Sequence, residues 1–142
     1  MYFWYKFFTL LFYPFAPIYL IIRKLRKKED GIRYKEKLSQ INLIRNDGFL
    51  VWFHVASVGE AMSILPIIEG CIEDKKINTI LLTSITLSSG KILEKRYKTN
   101  VKVIHQFLPL DIPVLNKKFL EHWRPNLSVF IDSEVWPNLI LQ

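Results

Sequence analysis

Glu60 follows Ser57 by three residues in "HVASVGEAM" (His54–Met62), where an apolar run ends in a short polar turn. A carboxylate at such a turn can take a proton from a hydroxyl nucleophile. The same S-x-x-E spacing is also a capping box, in which Ser57 and Glu60 hold each other's backbone N–H. The two roles pull apart, because a helix N-terminus favours the ionised carboxylate and so weakens it as a base. Gly59 leaves room for a ligand to approach, and His54 ends the apolar run beside the turn, within reach of a substrate. A second polar stretch, "TSITLSSGK" (Thr83–Lys91), runs hydroxyls and a glycine into a helix. It can cap that helix through Ser88 or Ser89, or offer free N–H groups to an anion. Its glycine spacing is not that of a P-loop. In "LPLD" Asp111 reads as a helix N-cap, and "DSEVWPN" brings Asp132 and Glu134, which suit capping or a sugar hydroxyl. His54, His105 and His122 lack metal-ligand spacing, the lone Cys71 excludes an internal disulfide, and no Ser-His-Asp arrangement can be read. The chemistry on offer is acid–base chemistry on carboxylates, with no metal.

Each polar stretch follows an apolar run that reads as a strand. These runs are "FLVWFH" (Phe49–His54), "NTILLTS" (Asn78–Ser84), "VKVIHQFLP" (Val101–Pro109) and "NLSVFID" (Asn126–Asp132). Between them lie amphipathic segments at Glu60–Asp74, Ser89–Tyr97 and Asp111–Trp123, and a further helix opens at Glu134 with Pro137 in its first turn. Apolar strands alternating with helices predict an α/β fold, a Rossmann-like parallel sheet with helices on both faces. In such sheets ligands gather at the carboxyl ends of the strands, where all four polar stretches fall. The chain stops two turns into a helix, which predicts a truncated domain belonging to a longer protein.

Upstream of the sheet, Phe7 to Ile22 carries no charge, and Tyr2–Ile22 as a helix is about 32 Å long, enough to cross a hydrocarbon core. A buried or interfacial helix fits the same composition. Arg23–Lys37 then holds eight basic residues against three acidic ones, most of the net charge of +7. Arg23, Lys24, Arg26, Lys27 and Lys28 follow the apolar run directly, so anionic lipid headgroups suit them better than nucleic acid does. The positive-inside rule places everything downstream in the cytoplasm. The expected division is a membrane anchor over 1–28, a connector over 29–47 with some helix near Arg33–Leu38, and the Rossmann-like domain over 48–142.

Taken in order, "HVASVGE", "LLTSITLSSG", "LPLD" and "SEVWPNLI", with the apolar start and "RYKEKL", resemble the N-terminal half of the 3-deoxy-D-manno-octulosonic acid (Kdo) transferases. The resemblance implies a GT-B glycosyltransferase, two Rossmann-like domains facing a cleft, acting in lipopolysaccharide biosynthesis at the cytoplasmic face of a bacterial inner membrane. It implies that the N-terminal domain holds the lipid A precursor, and that the donor CMP-Kdo binds a C-terminal domain missing from this chain. No cofactor is implied. The family's general base falls on Glu60 and its second acidic residue on Glu134. Acceptor contacts fall on His54, Ser57, Gly59, Thr83, Thr86 and Gly90, although "TSITLSSG" stands where T-x-T-x-T-G is usual. The alternative expectation is an inactive membrane-anchored α/β module.

Overall fold

The four apolar runs pair as one parallel sheet in the order β3-β2-β1-β4, with β1 at Leu50–Val55, β2 at Thr79–Ser84, β3 at Val103–Phe107 and β4 at Leu127–Phe130. The computed structural model describes residues 1–131 and 136–141. The sheet belongs to one of two compact units, Leu43–Leu108 with the described residues of Trp123–Glu134. The other comprises Met1–Asn42, Pro109–His122 and the described residues of Val135–Gln142.

In the sheet unit, Leu50 pairs with Thr79 and Val55 with Ser84 along β1 and β2, while Val51 to His54 pair with Leu127 to Phe130 of β4. Alternation sends Val51, Phe53, Val55, Ile80 and Leu82 to one face, where they pack with Ile64, Ile68 and Leu93 in a buried core. Ile64 lies at the junction of α3 (Val58–Ser63) and α4 (Leu65–Glu73), Ile68 in α4 and Leu93 in α5 (Leu87–Tyr97). The sequence predicts one helix over 60–74, but it is broken at Ile64, just before Pro66 in the first turn of α4. Proline has no N–H for the preceding turn and clashes with it, so the helix restarts there. The opposite face carries polar groups among its apolar ones: the Trp123 indole N–H donates to Gln106 Oε1 at 2.7 Å, and Trp52 stacks edge-on with Phe130 at 5.1 Å. Beside β4, an apolar groove of about 410 Å³ is lined by Phe53, Ile67, Leu127 and Val129. Cys71 lines it too, half-buried, and burial raises its thiol pKa.

In the other unit, α1 (Tyr2–Phe12), a 3-10 turn (Tyr13–Phe15) and α2 (Ala16–Leu25) form one helical run from Tyr2 to Leu25. The "RYKEKL" segment is a 3-10 helix, Arg33–Leu38, and α6 is Pro113–Trp123. Ala16, Ile112 and Leu115 form the apolar centre of this unit. Beside it the Glu29 carboxylate takes Arg23 Nε at 2.6 Å and Lys37 Nζ at 2.7 Å, and the Glu29 and Lys37 side chains are almost wholly buried. Thus two cations of the basic block are used internally. Asp111 does not cap the backbone of the helix that follows it. Its carboxylate accepts from the backbone N–H of Asn138 and Leu139, capping α7 (Pro137–Ile140), and also from Tyr5 Oη at 2.8 Å and Asn116 Nδ2 at 2.6 Å.

Candidate active site

The order β3-β2-β1-β4 places the first strand in the middle, with the chain running outward to both sides of it. The carboxyl ends of β1 and β4 therefore flank a topological switch point, the usual ligand crevice of an open parallel sheet. Glu60 sits at that end of β1. Its Oε2 accepts from the Ala56 N–H at 2.7 Å and its Oε1 from Ser57 Oγ at 2.8 Å, while its own N–H donates to Ser57 Oγ at 3.2 Å. This is the predicted cap shifted by one residue, since the carboxylate reaches Ala56 rather than the backbone of Ser57. A carboxylate has about four lone-pair sites, so two bonds leave others for a proton. Ser57, Val58 and Gly59 are exposed and Glu60 half-exposed. A methyl group on Gly59 would meet only Ser57 Oγ, at 3.9 Å, so packing does not require glycine there.

His54 and Thr83 lie side by side in the register of β1 and β2, and both are buried. The Trp52 indole N–H donates to Thr83 Oγ1 at 2.8 Å, and Thr83 Oγ1 lies 2.8 Å from His54 Nδ1. The Thr83 hydroxyl is thus shared by Trp52 and His54 across the two strands. Burial pushes the His54 pKa down to about 4, against the opposing pull of Glu60 and of a bond to the Thr83 backbone. Above pH 6.5 the folded and unfolded states both hold neutral histidine. Below it the unfolded state binds a proton that the folded state refuses until about pH 4, so stability falls across that window. At about 1.4 kcal/mol per unit, the loss comes to about 3 kcal/mol. His54→Asn, which keeps a polar side chain but does not titrate, is expected to remove that share of the acid sensitivity, as read from denaturant midpoints between pH 4 and 7.

At the end of β2, Thr86 is exposed and is the N-cap of α5, accepting from the Ser89 N–H at 3.2 Å. The expected cap at Ser88 or Ser89 is thus corrected: Ser89 is the recipient, buried within the first turn. Gly90 is buried against β3. A Cβ there would come 2.7 Å from the Phe107 ring and 3.1 Å from His105 Cε1, so α5 can approach the sheet only with glycine. Gly90→Ala is expected to cost about 1–3 kcal/mol through overpacking, measured as a lower denaturation midpoint with the m-value unchanged. The structure therefore groups His54, Ser57, Gly59, Glu60, Thr83, Thr86 and Gly90 at one edge of the sheet unit, with Ser57, Gly59 and Thr86 at its surface and Thr83 and Gly90 beneath it. Glu134 and Asp132 lie outside the described residues. Sequence reading did not single out Trp52, which orients Thr83; its place two residues before His54, on the same face of β1, was the available signal.

Comparison with known proteins agrees with this geometry. Residues 32–142 match the family profile described as 3-deoxy-D-manno-octulosonic-acid transferase (kdotransferase). The chain is 39% identical over 128 residues to the probable 3-deoxy-D-manno-octulosonic acid transferase, mitochondrial, of Arabidopsis thaliana, covering 90% of this chain and 28% of that protein. It is 38% identical over 136 residues to the 3-deoxy-D-manno-octulosonic acid transferase of Rickettsia bellii, covering 96% of this chain and 32% of that one. The corresponding Rickettsia felis protein is 46% identical over 88 residues, 62% of this chain and 18% of its own length. The chain thus spans about a third or less of the relatives it matches. A parallel sheet ordered 3-2-1-4, an apolar helix before it and a match over residues 32–142 together make this chain a member of the Kdo transferase family, with the fold of a GT-B N-terminal domain.

Proposed function

We propose that this chain supplies the acceptor surface and the general base for transfer of Kdo from CMP-Kdo to the lipid A precursor, in a two-domain enzyme whose other half binds the donor. The observation that carries the reading is Glu60, fixed by two hydrogen bonds at the mouth of the central strand, beside the exposed and sterically open Gly59. In the reaction the acceptor hydroxyl attacks the anomeric carbon of Kdo as its proton passes to the Glu60 carboxylate. The bond from that carbon to the CMP phosphate oxygen breaks, CMP leaves with the electron pair, and configuration inverts. The backbone N–H of Ala56 and the Ser57 hydroxyl hold the carboxylate in place for this transfer. Exposed Ser57 and Thr86 border the same opening and are assigned to the acceptor, with His54, Thr83 and Gly90 shaping the floor under them. Glu134 is proposed as the second acidic residue.

The division of labour along the chain follows. Residues 1–28 seat the protein on a membrane, 29–47 connect, and 48–142 form the Rossmann-like part. The acceptor is an anionic glycolipid, so the Tyr2–Leu25 helix and the cations after it bring the site to the surface where the acceptor lies. The proposed location is the cytoplasmic face of a bacterial inner membrane. The experiment is Kdo transfer by a full-length family enzyme carrying this chain, with and without Glu60→Gln.

A further inference from the structure

Composition and length would let the helical run from Tyr2 to Leu25 cross a bilayer, since 24 residues rise about 36 Å. Its side chains divide otherwise. Half-buried or buried residues fall at Tyr2, Thr9, Tyr13, Ala16, Leu20, Arg23 and Lys24; all but Lys24 follow gaps of three, four or seven and draw one stripe from end to end. The stripe is bonded as well as packed. Asn138 Nδ2 donates to Thr9 Oγ1 at 3.0 Å, Ala16 packs on Ile112 and Leu115, and Arg23 pairs with Glu29. Tyr5, at the edge of the stripe, donates its hydroxyl to Asp111. The other side of the helix is open and apolar, with Trp4, Phe8, Leu11, Phe15, Ile18 and Ile22 all exposed.

From this we infer that the helix lies in the plane of an anionic phospholipid surface and does not cross it; the inference rests on the membrane association proposed above. A crossing helix must leave its protein unit over most of its length, and these contacts hold it from one end to the other. The apolar side then enters the boundary of headgroups and acyl chains, to about 5–10 Å. Cations flank the helix along its length, as an in-plane helix needs. Lys6 and Lys117 share a cleft with Tyr2, Lys118 borders a cleft with Tyr13 and Pro17, and Lys24, Arg26 and Lys27 follow at the far end.

The test uses the full 142-residue chain with Cys71→Ser and one new cysteine at a time, Phe3→Cys, Leu11→Cys or Ile22→Cys, each carrying an environment-sensitive fluorophore. The chain is reconstituted from detergent into vesicles of phosphatidylethanolamine and phosphatidylglycerol. Quenching is compared for lipids brominated high on the acyl chain and near its end. All three positions are exposed, and circular dichroism checks the fold; Phe15→Cys replaces Leu11→Cys if that variant unfolds. The expected result is the same shallow depth at all three sites, with the high bromines quenching better at each. A central label quenched best by the chain-end bromines, between two shallow ones, overturns the in-plane arrangement while leaving membrane association intact. Failure of the chain to float with the vesicles overturns both.

Discussion

Glu29→Ala is expected to cost about 3–5 kcal/mol of stability, the usual weight of leaving a buried charge without its partner. Glu29 holds both Arg23 and Lys37, and the Lys37 ammonium has no exit to water, its side chain being only 5% exposed. Burial already pushes the Lys37 pKa below the ordinary lysine range, with Glu29 pulling it back. Remove Glu29 and its pull is lost while burial and the nearby Arg23 charge still act, so the charged form is held in a site that disfavours it. The sign fixes a further observable. A lysine with a depressed folded-state pKa weakens the fold as pH falls from its unfolded value of about 10.5, because the unfolded chain takes the proton first. The Glu29→Ala variant should therefore regain stability between neutral pH and pH 10 relative to wild type. Glu29→Leu with Lys37→Met should recover most of the loss at neutral pH, since apolar side chains of similar size replace a buried ion pair at little cost. Chemical denaturation of the single and double variants measures all three.

Glu60→Gln in the full-length enzyme is expected to lower Kdo transfer by about 10²–10⁴-fold, the range typical of a lost general base. The structure explains why this substitution separates the base from the cap. A glutamine Oε1 can still accept from the Ala56 N–H, and its Nε2 can donate to Ser57 Oγ, reversing one bond without losing it. The turn and the start of α3 should persist, with stability within about 1 kcal/mol of wild type, as glutamine also serves in capping boxes. What glutamine cannot do is accept a proton at neutral pH.

Four strands were legible because each is a short apolar run bounded by glycine, asparagine or polar turn residues, and the alternation with helices carried the parallel sheet. The Ser57–Glu60 cap was legible because it is local. The break at Ile64 had its signal in Pro66, outweighed by the apolar period around it. The cap of α5 was misplaced by two or three residues because three hydroxyl side chains stand between Thr86 and Ser89 with one leucine among them, and only backbone geometry chooses among them. Asp111 was misread for a different reason. Its N–H donors lie 27 and 28 residues further along, and a long-range cap leaves no mark in local spacing. The same holds for Glu29 with Lys37, where a basic block that suits a membrane surface also contains the partners of a buried carboxylate.

The most direct test of the proposed role is radiolabelled Kdo transfer from CMP-Kdo to the lipid A precursor by the full-length enzyme, wild type and Glu60→Gln, with thermal unfolding recorded on the same preparations. The expected result is a fall in transfer of at least about 10²-fold with an unfolding midpoint close to that of wild type. Near wild-type transfer by a folded Glu60→Gln protein would contradict the account and leave Glu60 as the cap of α3 alone.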